Sequence, residues 1–490
     1  MPDLIPYPSS FEPAPGTFQL TAETALHVLP GADQVRAVAE SLARRLRPST
    51  GYDLPVRTLD GAAPPGSLSL DLTAPEPALG GEGYDLAVTP QQVRLSAPEP
   101  AGLFRGTWTL QQLLPPAVEA RTRQPGPWAI GCCIVRDTPR FAWRGMMLDV
   151  ARHFFTVEEV KRLIDQMAYY KLSLLHLHLT DDQGWRLMID SWPRLAGHGG
   201  STATHGDRGG YYTQDDYRVI LGYAAERYIT VVPEIDMPGH THAALDSYPE
   251  LKGTTKLSGP YTGTEVGFSS FAIHEEMTYR LIEQVIGELA ALTPGPYLHI
   301  GGDEAQSTPE ADYIHFVERI QAIVRETGKR PVGWEEVAKG RLLPDTIIQY
   351  WWQEQWGRKA ARAGNKLIMS PAARTYMDIK YNAETRMGQD WTRSYIEVQD
   401  GYDWDPASVL DQAPEETILG VEAPLWTETV VTADDLDYMT FPRLPGYAEV
   451  GWTPQARRSW ADYRLRLAAH GPRLEAMGIR FYRSPQIAWE

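Results

Sequence analysis

Residues 297 to 305 read YLHIGGDEA: an apolar run, two glycines, then the adjacent carboxylates Asp303 and Glu304. A positioned carboxyl group can donate or accept a proton in a transition state, and a second one can hold or stabilise developing charge. Neighbours on a regular strand point to opposite faces. Two adjacent acids therefore serve one site only where the strand geometry breaks down, and Gly301 and Gly302 mark such a place. Other apolar runs end in the same way. Asp181 and Asp182 close one; Glu234, Asp236 and then His240 close another. Trp334 is followed by Glu335 and Glu336, Trp351 and Trp352 end a further run, and Trp426 precedes Glu428. Aromatic faces pack on the C–H faces of sugar rings while acids bind hydroxyls, so this repeated combination implies a carbohydrate pocket.

The elements that must position these residues recur along the chain. Apolar runs lie at 144–151, 172–182, 229–236, 297–304, 330–336, 346–352, 366–371 and 418–428. Helical patterns separate them; in TVEEVKRLIDQMAYYK the apolar residues Val157, Val160, Leu163, Ile164 and Met167 fall at helical spacing. Eight such strand–helix units predict a (β/α)8 TIM barrel, whose sites form at the C-terminal ends of the strands. A doubly wound open sheet is the rival, but the Gly-rich phosphate turn expected early in such a fold is missing. Residues 1–138 are richer in Pro and Gly and mix short strands with helices, as in ADQVRAVAESLARRL. They predict a smaller, non-catalytic α+β domain. The division expected is 1–138 and 139–490, the second part holding the barrel and a C-terminal helical segment.

A chain of 490 residues is long for a single core, consistent with two domains. Its net charge of −17 argues against nucleic acid or an anionic membrane as the main partner. The two cysteines, Cys132 and Cys133, are adjacent and exclude a disulfide framework; they read as buried free thiols. The N-terminus lacks the basic and apolar regions of a signal peptide, and no run is long enough to span a membrane. The expected location is cytoplasmic, and the oligomeric state is left open. In the run around LLHLHL, Leu175, Leu177 and Leu179 share one face while His176, His178 and Thr180 share the other. The histidines then point into the barrel. They read as hydrogen-bonded supports of the site, with metal ligation as the alternative.

The segments RGMMLDVARHFF, HLHLTDDQGWR, PEIDMPGHTHAAL, HIGGDE, VGWEEV, YMDIKY and APLWTET occur in this order. Together they closely resemble the family 20 glycoside hydrolases, the β-N-acetylhexosaminidases, in their bacterial form, from about residue 140 to the C-terminus. The first domain resembles the α+β domain that commonly precedes that barrel. The resemblance implies an exo-acting, retaining enzyme that removes terminal N-acetylhexosamine from a carbohydrate, without metal or other cofactor. It implies Glu304 as general acid/base, Asp303 as the residue orienting the 2-acetamido group, and Tyr376 as its hydrogen-bond donor. Asp181 and His240 match the pair supporting the acid. Trp334, Trp351, Trp391 and Trp426 match the aromatic walls, and Arg144, Asp378 and Glu428 the hydroxyl-binding residues. By pattern alone Arg144 begins the first strand, at the end of the barrel opposite the site. The family is a substrate-assisted exception to the usual two-carboxylate mechanism, which accounts for one proton donor beside one orienting acid. The alternatives are a metal-dependent barrel hydrolase using His176 and His178, and a catalytically inactive sugar-binding protein.

Overall fold

The structure is a computed structural model that describes residues 2–59, 61–73, 79–256, 258–411 and 413–489. All eight apolar runs form parallel strands. They are Trp143–Asp149, Leu174–His178, Thr230–Glu234, Tyr297–His299, Arg330–Trp334, Ile347–Tyr350, Lys366–Met369 and Ile418–Leu425, here barrel strands one to eight. Each pairs with the next, and strand eight pairs with strand one through Gly420 and Trp143. The ring closes, so the barrel has no open edge.

Within the barrel, Leu174, Val232, Val332, Ile347 and Ile368 form an apolar layer. Two residues further along their strands, and so on the same face, stand His176, Glu234 and Gln349. This upper interior is polar where barrel cores are usually aliphatic. Hydrogen bonds join it across strands: Gln349 Nε2 donates to Glu422 Oε1 at 2.8 Å, and Trp334 Nε1 donates to Glu234 Oε1 at 2.9 Å.

The helices Val157–Tyr169, Gln214–Ala225, Glu276–Leu292, Glu310–Glu326 and Glu354–Ala363 occupy their expected places between strands. The fifth unit departs from expectation. Strand five runs straight into a 3-10 turn, Glu335–Lys339, and no α-helix precedes strand six. The connection is short and contains Gly340 and Pro344, which disfavour a helix interior.

By internal contacts the chain forms two compact units, Met1–Arg140 with Ala168–Lys171 and Leu444–Glu490, and Phe141–Met167 with Leu172–Arg443. The C-terminal segment, expected to go with the barrel, thus groups with the N-terminal residues. The reason is buried polar pairing. Arg466 bridges Glu449 at 2.7 Å and donates to the Leu4 carbonyl, and Arg473 donates to the carbonyls of Gln112 and Leu114. The same unit holds a mixed seven-stranded sheet with the helices Asp33–Thr50 and Pro100–Gln112, an α+β arrangement. Cys132 and Cys133, on strand Trp128–Asp137, are buried and free. No helix among the described residues is long and apolar enough to cross a membrane.

Candidate active site

Strand four ends at His299. Gly301 and Gly302 then take positive φ angles of 64° and 105°, and Glu304 itself stands at 46°. Left-handed backbone of this kind ends the pleat, and with it the alternation that would send neighbours to opposite faces. Asp303 and Glu304 consequently line one cavity of about 350 Å3, together with Arg152, Trp351, Tyr376, Asp378, Trp426 and Glu428. A Cβ on Gly301 would lie 1.7 Å from Asp236 Oδ1, so a larger residue does not fit there.

The two acids differ in environment. The Asp303 side chain is 9% exposed and that of Glu304 30%. Burial lifts the Asp303 carboxyl to about 6; His240 opposes the shift, and Glu234 and Glu304 add to it. His240 Nε2 lies 3.5 Å from Glu304 Oε2 and 3.8 Å from Asp303 Oδ2. Its Nδ1 is 3.1 Å from Asp181 Oδ1. Burial disfavours the imidazolium, but the Asp181 carboxylate outweighs it and holds the His240 pKa well above the usual histidine range. Asp181 is a hub. It also meets His178 Nε2 at 2.8 Å and Arg152 Nη2 at 2.9 Å. Burial raises its pKa, but Arg152 and His240 reverse the shift and hold it below the carboxylate range.

The walls are aromatic. Trp351 stacks on Tyr376 with centroids 6.1 Å apart and planes 16° from parallel. Trp426 lies 6.3 Å from Tyr376, and Trp391, 43% exposed, stands at the outer edge 6.0 Å from both Trp351 and Tyr376. Trp334 is fully buried 5.9 Å from Trp426 and supports that wall from behind without lining the cavity. The polar side carries buried oxygens without hydrogen-bond partners: both of Asp378, Oε2 of Glu428 and Oδ1 of Asp303. Burial pushes Asp378 well above the carboxylate range and raises Glu428 as well. Unpaired buried acceptors are costly unless something else satisfies them, and a polyhydroxylated ligand in the cavity would do so.

Arg144 is a correction. It is fully buried, near the start of strand one, and its Nη1 donates to the carbonyls of Phe141 and Ala142. Asp149 at the strand's end lies five positions further on, about 16 Å at the usual rise, and Arg144 does not line the cavity. Arg152, which follows the end of strand one, does. Its guanidinium also bridges Asp149 at 3.3 Å and lies 4.9 Å from the Trp426 ring. The signal was present in RHFF, since the strand-end rule that collected the acids applies equally to a base. Gln389, Thr264 and Val266 complete the rim from loops whose paths the sequence does not disclose.

His176 and His178 face inward as expected, and both rings are engaged by carboxylates. His176 Nδ1 is 2.8 Å from Glu422 and its Nε2 3.0 Å from Glu234, the latter off the hydrogen-bond direction. His178 bridges Glu234 and Asp181. Burial opposes charge on His176, but Glu422 and Glu234 outweigh it and raise the ring to about 9. Carboxylates thus flank both nitrogens of each ring, an arrangement that fits the supporting role.

Comparison with known proteins agrees with this arrangement. The family model described as "Glycosyl hydrolase family 20, catalytic domain" matches residues 141–313 and 307–455, and "Glycosyl hydrolase family 20, domain 2" matches 1–138. A β-N-acetylhexosaminidase of Cellulomonas fimi is 40% identical over 100% of this chain and 98% of its own. The solved family 20 β-N-acetylhexosaminidase of Streptomyces coelicolor A3(2) superposes with a TM-score of 0.96 at 50% identity, covering 100% of this chain and 99% of that one. A mutant Streptomyces plicatus β-hexosaminidase, solved in complex with its product GlcNAc, also gives 0.96, at 52% identity and 100% and 98% coverage. With both parts of the chain matched and an acid-rich, tryptophan-walled barrel mouth in place, this protein belongs to glycoside hydrolase family 20.

Proposed function

We propose that this chain is an exo-acting, retaining β-N-acetylhexosaminidase in which the substrate's own 2-acetamido oxygen is the nucleophile. The observation that carries the reading is the division of labour at 303–304. One partly exposed acid, Glu304, stands beside one buried acid, Asp303, whose Oδ1 is unpaired, in a cavity of monosaccharide size. Glu304 donates its proton to the departing glycosidic oxygen as the acetamido oxygen attacks C1. Asp303 accepts the acetamide N–H and faces the positive charge of the oxazolinium ion. The Tyr376 hydroxyl, on the Trp351–Trp426 side, holds the acetamide oxygen in line. Water then attacks C1 from the face the leaving group vacated and gives its proton to Glu304, so the β configuration is retained. Asp181 and His240 orient Glu304, and Arg152, Asp378 and Glu428 bind hydroxyls. The GlcNAc bound in the Streptomyces plicatus relative supports a terminal N-acetylhexosamine as substrate.

The test is proton NMR of the first sugar released from an aryl N-acetyl-β-glucosaminide, before mutarotation. The β anomer is expected first. The matching β-glucoside, with hydroxyl at C2, should be cleaved very poorly, because an internal nucleophile acts with an effective molarity of roughly 10⁵–10⁸ M. Release of the α anomer first, or comparable rates on the two glycosides, would overturn the assignment.

A further inference from the structure

We propose that Glu335 and Glu336 are positioning residues that set acyl-chain specificity: they clamp residues 351–353 and, through Trp351, fix the width of the pocket's acyl end. This rests on the reading that Trp351 and Tyr376 enclose the 2-acetamido group.

Strand five delivers both acids directly, because a 3-10 turn stands where the usual crossover begins. Strand six ends at Tyr350, so the next three N–H groups lie beyond the strand. Backbone N–H groups that leave the strand ladder need other partners. The Glu335 carboxylate meets all three: Oε2 accepts from Trp351 N at 2.6 Å, and Oε1 from Trp352 N at 3.0 Å and Gln353 N at 2.5 Å. Glu336 Oε2 accepts from the Trp351 indole Nε1 at 3.2 Å. Backbone and indole N–H of Trp351 are thus held by two neighbouring acids, while its ring stacks on Tyr376. Both acids are buried, and neither lines the cavity. They are therefore poorly placed for proton transfer to a substrate and well placed to hold a wall. Burial, with the charge of Glu335 adjacent, keeps Glu336 well above the carboxylate range. A glutamine mimics that neutral state and retains an acceptor for the indole.

The experiment compares kcat/KM for aryl β-glycosides bearing N-acetyl, N-propionyl and N-butanoyl groups, using the full chain and its E335A, E336A and E336Q variants, with Tm alongside. In a closed apolar pocket one methylene is worth about 10–200-fold. The unaltered enzyme should prefer N-acetyl steeply. Freeing Trp351 in E335A or E336A should lower the acetyl-to-butanoyl ratio about tenfold or more, chiefly through KM of the longer acyl substrate. E336Q should restore the ratio. Folded alanine variants that keep the original ratio, or that lose the same factor on every acyl length, would overturn the clamp. Should E335A fail to fold, the ratio in E336A against E336Q decides. Failure of the functional reading is distinct: it would appear as an unaltered enzyme that does not prefer 2-acetamido over 2-hydroxyl substrates.

Discussion

Asp303 and Glu304 are adjacent in sequence and equivalent in composition, yet the fold gives them different environments. Asp303 is closed in with an unpaired oxygen, whereas Glu304 stands open to the cavity, with His240 Nε2 3.5 Å away. Glu304→Gln tests the proposed roles. It keeps the shape and removes the proton, and general acid catalysis typically contributes about 10²–10⁴-fold. Steady-state rates should fall by that order for a sugar leaving group, and markedly less in the first step for an aryl group that departs without protonation. Equal losses on both substrates would show that Glu304 is not the acid. Arg152 makes the complementary point. It and Arg144 are the same residue type in the same segment, and their positions on strand one separate a cavity wall from a buried anchor.

At the scale of the element, the turn after strand four matters more than any side chain in it. Gly301 has φ +64° and would place a Cβ 1.7 Å from Asp236 Oδ1, whose partner is the Gly302 N–H at 3.0 Å. Gly301→Ala must displace Asp236 or the turn, and with it the two acids. A misplacement of about 1 Å at a catalytic centre can cost roughly 10²-fold in rate. Gly364, φ +87°, caps helix Glu354–Ala363 and would meet nothing within 4 Å. Gly364→Ala should cost stability alone, about 1 kcal/mol. Activity assays with melting curves on the two variants distinguish the cases; equal activity in both would mean that the turn tolerates the shift.

At the scale of the molecule, the barrel carries a buried charge network in place of an aliphatic top layer. His176 joins strand two to strand eight through Glu422 and to strand three through Glu234. Its folded pKa, raised to about 9, lies above the unfolded value of about 6.5. The folded state therefore holds a proton that the unfolded state releases across that window. This contribution is fully present below about pH 6.5 and is lost as pH rises through about 9. His176→Gln should be most destabilising near pH 6, and the gap to the unaltered protein should narrow toward about pH 9.5 by at most about 3 kcal/mol. Urea unfolding of both proteins at the two pH values measures it. A gap that stays constant or widens with pH would show that the His176 charge does not stabilise the barrel.

Periodicity in the sequence determined the eight strands and most helices, because burial of one face imposes its repeat wherever a strand or helix is to form. The strand-end rule likewise placed Asp181, His240, Asp303, Glu304, Trp351 and Trp426 in one region, since all follow apolar runs. Tertiary structure alone decided the rest. Arg144 and Arg152 exchange places because a strand has two ends and composition does not mark which end a long side chain serves. Leu444–Glu490 groups with the N-terminal residues because Arg466 and Arg473 find their acceptors there, hundreds of positions away in sequence. The missing fifth helix, and the carboxylates of Glu335 and Glu336 turned onto Trp351, are equally invisible to periodicity. Hydrogen-bond partners are chosen by proximity after folding, and a one-dimensional pattern encodes which faces are buried but not what they meet.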